Sequence, residues 1–412
     1  MIIKDVSILR SGQLVAGRDI LIEDSRIVKI GRDLKDKDEE IINAGGKLAI
    51  PGLINGHTHL AMTLLRGYAD DMELIPWLRD KIWPLEAKMT ADDIYWGAKL
   101  GCLEQIRFGI TAYNDMYYFM DETAQATREM GLRAFISGVM LDARPDLLKD
   151  VEPFLRRWKG DDLIHPAVGP HAAYTCSEET LLKAKDLADK YGTMIHMHVS
   201  ETREEVDDFI LSHGLSPVEY LDSLGMLNER FLAVHCVWLS EEEAQLLADR
   251  NVNVVDCTIS NLKLSSGIAP LNSLLKANIN VCLGTDGPAS NNNLSLFEVM
   301  KVTAIVQKNA YHNPAAFSAE QIWKIATENA YRAFRLDMGL REGALADLAL
   351  VDLHKPWFCP QSNIISHLVY SIAGGVDTTI VNGKVLMRNG VIPGEAEIME
   401  KAQERFERLT AI

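Results

Sequence analysis

The middle of this chain alternates between strand-like and helix-like segments, and that alternation limits the folds open to it. Eight strand-like runs can be read, at 48–57, 110–114, 133–137, 167–171, 193–199, 231–235, 252–256 and 279–286. Helical stretches lie between most of them, for example 91–107, 177–190 and 241–249. The last is opened by Ser240 and Glu243 at capping-box spacing. A parallel neighbour needs a long crossover, which a helix supplies, so strand–helix alternation predicts a parallel sheet. Eight such units predict a (β/α)8 TIM barrel.

The two ends have a different texture. Segments 19–23 and 26–30 are separated by Asp24-Ser25, which suggests a hairpin. Segments 346–352 and 378–386 are strand-like too, the second with Asn382-Gly383 as a turn signal. Residues 1–50 and 344–395 are therefore expected to build one small β-sandwich domain beside a barrel of residues 51–343. An amphipathic helix is expected over 396–412, placed to pack on the barrel or on another subunit.

Composition excludes several roles. The chain has 412 residues, 47% of them hydrophobic, which is enough for a large core. A net charge of -16 argues against nucleic acid or an anionic membrane as partner. No apolar run approaches the ~20 residues of a membrane span, and Met1 leads into Ile-Ile-Lys-Asp with no signal-peptide pattern. The six cysteines are scattered without a CxxC, so buried thiols in a reducing cytoplasm are expected. There is no P-loop, and the paired glycines Gly374-Gly375 lack wider glycine spacing.

Five of the strand-like runs end in residues that ligate metals or move protons: His57 with His59, His171, His198, His235 and Asp286. Barrel active sites lie at the carboxyl ends of the strands, so these residues are expected to converge. In His57-Thr58-His59 the two imidazoles share one face of an extended strand and can hold one ion of the zinc type. His196 shares a face with His198, so either could be a ligand, and a buried, hydrogen-bonded role is favoured for His196. Glu201, three residues past His198, can stand beside an ion without binding it, as a proton shuttle does. Asp286 in Leu-Gly-Thr-Asp-Gly would in isolation be a turn residue. No lysine suggests a carbamate bridging two metals, so a single ion is the simpler reading.

These motifs together resemble the amidohydrolase superfamily over essentially the whole chain. The segment Pro51-Gly52-Leu53-Ile54-Asn55-Gly56-His57-Thr58-His59 is similar to its first-strand metal motif, and 343–352 to its return into the small β domain. Within the superfamily the likeness is to the methylthioadenosine/S-adenosylhomocysteine deaminases, a group to which the archaeal 5′-deoxyadenosine deaminases belong. It is carried by Gly169-Pro170-His171, His198-Val199-Ser200-Glu201, Ala233-Val234-His235-Cys236, 283–292 and the stretch from Trp77 to Glu86.

The resemblance implies one divalent ion held by His57, His59, His198 and Asp286. Zinc comes first, and iron and manganese accept the same ligands. It implies hydrolytic deamination at C6 of an adenine nucleoside, giving the hypoxanthine nucleoside and ammonia. Glu201 would carry a proton to the purine, while His235 and Asp286 handle the attacking water, His235 without ligating the ion. Trp77, Glu86 and His171 would shape the nucleoside pocket, Glu86 accepting from the ribose hydroxyls. Arg144 is the only arginine in 138–146, after the third strand, where a homocysteine carboxylate would be met. The expected substrates are therefore 5′-deoxyadenosine and 5′-methylthioadenosine first, with S-adenosylhomocysteine and adenosine after them. The alternatives are a guanine or triazine-type hydrolase on the same scaffold, or a non-catalytic assembly scaffold. The complete ligand set disfavours the scaffold. A cytoplasmic homo-oligomer, dimer or tetramer, is also expected.

Overall fold

The computed structural model describes residues 1–35 and 40–411. Ile412, the last residue of the expected terminal helix, lies outside them. All eight runs form strands: β1 (Leu53–Thr58), β2 (Ile110–Tyr117), β3 (Arg133–Met140), β4 (Ile164–Pro170), β5 (Ile195–Val199), β6 (Phe231–His235), β7 (Asn253–Asp256) and β8 (Asn280–Leu283). They hydrogen-bond in chain order as one parallel sheet. Every residue of β1, β2 and β3 is buried, as expected where helices cover one face and the barrel interior the other.

The seam between β8 and β1 is closed by the segments that carry the candidate metal ligands. Asp286 N donates to His57 O at 2.9 Å, and Thr58 Oγ1 donates to Asp286 O at 3.0 Å. The Asn55 side chain donates to Thr285 Oγ1 at 2.7 Å and accepts from Thr285 N at 2.9 Å. Glycine is needed here for close approach: a Cβ on Gly284 would stand 2.8 Å from His57 N. Gly284→Ala is therefore expected to cost about 1–3 kcal/mol through overpacking. Calorimetry should show a Tm several degrees lower; a Tm within about one degree of the parent would mean that the seam relaxes freely.

Both chain ends enter a second, mixed sheet. Its strands run in the order Lys384–Met387, Thr378–Val381, Leu348–Asp352, Lys47–Pro51, Ile2–Arg10, Gln13–Glu23, Arg26–Gly31, with Ile41–Asn43 added to Ile2–Arg10. The hairpin expected around Asp24-Ser25 pairs antiparallel. Hydrogen bonding is continuous across what the sequence suggested as a sandwich. The reason is Lys47–Pro51, which pairs in parallel with Ile2–Arg10 and antiparallel with Leu348–Asp352. The inner side of this sheet is apolar, with Ile3, Val6, Ile20, Ile27, Leu348 and Ile380 packed together. A buried ion pair, Arg133 Nε to Asp347 Oδ2 at 3.1 Å, ties it to β3 of the barrel.

The terminal helix Glu395–Thr410 packs against the helix Ala91–Arg107 of the same chain. Its buried residues include Ile398, Ala402 and Leu409, and Arg405 pairs with Asp92 at 2.6 Å. No helix among the described residues is long and apolar enough to cross a membrane.

Candidate metal centre and substrate cleft

The carboxyl ends of β1, β5, β6 and β8 bring His57, His59, His198, His235 and Asp286 together. His57 Nε2 lies 3.2 Å from Asp286 Oδ1, His59 Nε2 lies 3.3 Å from the same oxygen, and His198 Nε2 lies 3.3 Å from His57 Nε2. Donors bound at about 2.05 Å around one tetrahedral ion stand about 3.3 Å apart, so these separations fit a single ion. Ring nitrogens of His57, His198 and His235 also lie within 4.8 Å of one another.

The second nitrogen of each candidate ligand is already occupied, which leaves Nε2 as the free lone pair. His59 Nδ1 donates to Met116 O at 2.6 Å, and His198 Nδ1 donates to His171 O at 2.8 Å. His57 Nδ1 stands 2.8 Å from His196 Nε2, and His196 Nδ1 stands 3.1 Å from Ser137 Oγ. His196 is thus fully buried and hydrogen-bonded behind a candidate ligand, which orients that ligand's ring. Burial holds His57 neutral, pushing its pKa down to about 3. Burial alone would raise Asp286, but the His57 hydrogen bond and the nearby imidazoles hold it well below the usual carboxylate range. Neutral imidazoles beside an ionised carboxylate form a cation-accepting set.

The backbone is strained where the chain leaves these strands. Ser200, His235 and Asp286 have φ of 51°, 72° and 62°. Non-glycine residues rarely occupy this left-handed region, and where they do so the surrounding structure must hold them. His235 and Asp286 line the cleft at the barrel mouth.

Glu201 accepts from Ser266 Oγ at 3.0 Å through Oε1, while its Oε2 lies 3.7 Å from His235 Nε2. Glu205 accepts the backbone N–H groups of Ser200 and Glu201, at 3.0 and 2.7 Å. Burial, with the Glu201 charge added, pushes Glu205 up to about 7.

These groups open into a cleft at the barrel mouth. Its walls are largely apolar, with Met62, Leu74, Leu78, Met116, Val139 and Leu264. Trp77, Glu86 and His171 line it as well. Trp77 Nε1 donates to Ala69 O at 3.0 Å, so its ring offers the cleft only apolar surface. Glu86 accepts from Tyr117 OH at 2.7 Å and from Tyr118 OH at 3.5 Å, and burial raises its pKa. His171 is held by Thr175 Oγ1 at 3.0 Å, and burial lowers it to about 4. Arg144 is partly exposed, paired with Asp146 through two hydrogen bonds of 3.0 and 2.9 Å. Its guanidinium lies 5.5 Å from the Tyr118 ring centre, and it is not among the lining residues.

Sequence reasoning missed Tyr117 and Tyr118, which hold Glu86, and Ser260, Asn261, Ser266 and Glu205, which hydrogen-bond to Asp286, His235 and Glu201. The two tyrosines close and follow β2, so the same strand-end reading could have found them. Ser260 and Asn261 lie past β7 in the short helix Thr258–Lys263 and Ser266 just after it, a stretch too short for periodicity to mark.

Known proteins agree with this geometry. The amidohydrolase family model matches residues 48–386. A protein of Methanothrix thermoacetophila named 5′-deoxyadenosine deaminase is 62% identical over 409 residues, 99% of each chain. One of Thermococcus sibiricus named 5-methylthioadenosine/S-adenosylhomocysteine deaminase is 47% identical over 378 residues, 90% of this chain and 89% of that one. The crystal structure of an adenosine deaminase from Xanthomonas campestris with bound zinc superposes with a TM-score of 0.95 at 31% identity, covering 100% of this chain and 98% of that one. With the family model spanning the barrel and much of the second sheet, and relatives matched nearly end to end, the chain belongs to the amidohydrolase family.

Proposed function

We propose that this chain is a metal-dependent hydrolytic deaminase of adenine nucleosides. The observation that carries the reading is one cleft lined by two chemically distinct sets of groups. His59, His198 and Asp286, with His57 buried among them, converge beside Glu201, and the Glu86 carboxylate, held by two tyrosines, lines the same cleft. The names of the relatives support the same substrate class.

In this reading a zinc ion, one per chain, is held by those four residues and when bound supplies the acidity that makes water a nucleophile at neutral pH. Asp286 Oδ1 and His235 Nε2 take and orient the proton of the attacking water. Glu201 Oε2, free of the Ser266 hydrogen bond, delivers a proton to N1 of the purine as C6 is attacked. The proton taken from the water passes to N6, the C6–N6 bond breaks and ammonia leaves, and the C6 hydroxyl returns a proton to Glu201, so the product is the hypoxanthine nucleoside. Each Glu86 oxygen keeps a lone pair beyond its tyrosine bond, and the two accept the ribose hydroxyls. Trp77 and His171 bound the nucleoside, and Arg144 stays at the rim beside Tyr118. The apolar walls favour an apolar 5′ group, so 5′-deoxyadenosine and 5′-methylthioadenosine precede S-adenosylhomocysteine and adenosine. We also place the enzyme in the cytoplasm, a reading supported by six free cysteines, five of them buried, and tested by cell fractionation; a homo-oligomer is tested by light scattering.

Ammonia release with these four nucleosides, and with adenine and guanine as free bases, tests the proposal. Turnover is expected for the nucleosides and not for the bases. Turnover of guanine alone would overturn it in favour of a free-base hydrolase.

A further inference from the structure

One short segment touches all three groups to which the proposed reaction assigns protons. It runs from Asp256, the last residue of β7, through the helical turn Thr258–Lys263 to Ser266. Ser260 Oγ donates to Asp286 Oδ2 at 2.6 Å, and Ser266 Oγ donates to Glu201 Oε1 at 3.0 Å. Asn261 Oδ1 lies 2.8 Å from His235 Nδ1. Asp256, Ser260, Asn261 and His235 are all buried, with at most 1% exposure, so no water competes for these bonds.

The polarity of the Asn261 contact is decided one step further back. Asn261 Nδ2 donates to Asp256 Oδ1 at 3.3 Å, and Asp256 Oδ2 accepts from the Thr258 hydroxyl. An ionised carboxylate only accepts, so the Asn261 amide must turn its NH2 toward Asp256 and its oxygen toward His235. An amide oxygen only accepts in turn, so His235 carries its proton on Nδ1. Its Nε2 then faces Glu201 and the candidate metal ligands. The opposite amide orientation would set two acceptors against each other in a buried site, which is costly. Burial pushes Asp256 up to about 6, which still leaves it ionised at pH 7.5.

We propose that Asp256 and Asn261 are positioning residues that fix the tautomer and orientation of His235, within a segment whose Ser260 and Ser266 register Asp286 and Glu201 to the same point. This rests on the deaminase reading for its kinetic consequence but not for its structural one. Asp256→Asn keeps shape and burial but lets position 256 face Asn261 with either a donor or an acceptor. The amide of Asn261 can then flip and His235 can take the wrong tautomer. Asn261→Asp sets two buried carboxylates against each other. The double variant exchanges the two groups and restores one consistent direction. The amide now at position 256 donates to the carboxylate now at position 261, which accepts from His235 Nδ1.

The test measures kcat and KM with 5′-deoxyadenosine for the parent, both single variants and the double variant, with metal content and Tm for each. In parallel, 15N spectra of histidine-labelled protein report the His235 tautomer, its signals identified by their loss in His235→Asn. Each single variant is expected to lower kcat about 100-fold or more with KM within about three-fold, as loss of a correctly protonated base does. The double variant should return to within about ten-fold of the parent. The spectra should show protonated Nδ1 in the parent and the double variant and a tautomer mixture in Asp256→Asn. Single variants within about three-fold of the parent, or a double variant no better than the two losses combined, would overturn the proposal. A parent inactive on every nucleoside would overturn the deaminase reading instead, and the 15N spectra would still decide the role of this pair.

Discussion

Glu201→Gln is expected to lower ammonia release by about two to four orders of magnitude while leaving the metal centre filled. The amide keeps the shape of the side chain and can still accept from Ser266 Oγ, so local structure should persist. What it loses is the ability to take up and hand over a proton. Because Glu201 is outside the converging ligand set, metal content per chain should match the parent. KM should move little, since the Glu86 end of the cleft is untouched. The measurement is steady-state ammonia release together with elemental analysis of the same preparation. A variant with near-parent kcat would remove Glu201 from the proton path; one that has lost its metal would make it part of the ligand set.

Removal of the ion is the second large effect. Dialysis against a strong chelator should reduce turnover to background, and about one equivalent of zinc per chain should restore it. Iron and manganese can be compared in the same titration, because affinity order alone does not choose among them. The stripped protein should also melt at a lower temperature. Binding of an ion to the native site stabilises the fold by mass action, by about 2.7 kcal/mol at a hundred-fold excess over Kd. Without the ion, the ionised Asp286 and its ring of neutral imidazoles stay buried with no cation to balance them. Full activity in protein shown to be free of metal would exclude the assigned role of the four ligands.

The neutral histidines bear on how those experiments are read. His57 and His171 are buried enough that their pKa values fall to about 3 and about 4. Neither should gain a proton between pH 5 and 8. Changes in rate over that range therefore report other groups. One is His235, whose burial is outweighed by the Glu201 and Asp286 charges, which raise it above the ordinary imidazole value, and whose Nε2 stands 3.7 Å from Glu201. The other is Glu205, near 7 and bonded to the backbone of Glu201.

Strand–helix periodicity made the barrel legible, because a parallel strand buried on both faces is a short, nearly continuous apolar run and its crossover is a periodic helix. Each of the eight runs supplied a barrel strand, the first only through Leu53–Thr58 because Lys47–Pro51 enters the second sheet, and the helices at 91–107 and 241–249 have the bounds their patterns suggest. The candidate ligands were legible for a related reason: a barrel points the ends of its strands to one place, so a polar residue that closes an apolar run is conspicuous. The same rule does not reach Tyr118, Ser260, Asn261 or Ser266. They sit in a short helix and in irregular connections beyond the strand ends, where neither period nor composition separates a positioning hydroxyl or amide from an ordinary surface one.

Element order, the barrel, the metal-type donor set and the carboxylate beside it are all written in local patterns of burial and spacing, so the amino-acid order alone was enough to specify them. Contacts across the fold settled the rest. They set His196 behind His57 rather than on the ion, ran the two chain ends into one continuous sheet through Lys47–Pro51, and closed the barrel seam with Asp286 itself. They also joined Asp256, Asn261 and His235 into one polar chain. Those outcomes depend on residues far apart in the chain, whose distances and hydrogen-bond directions exist only once the barrel has closed.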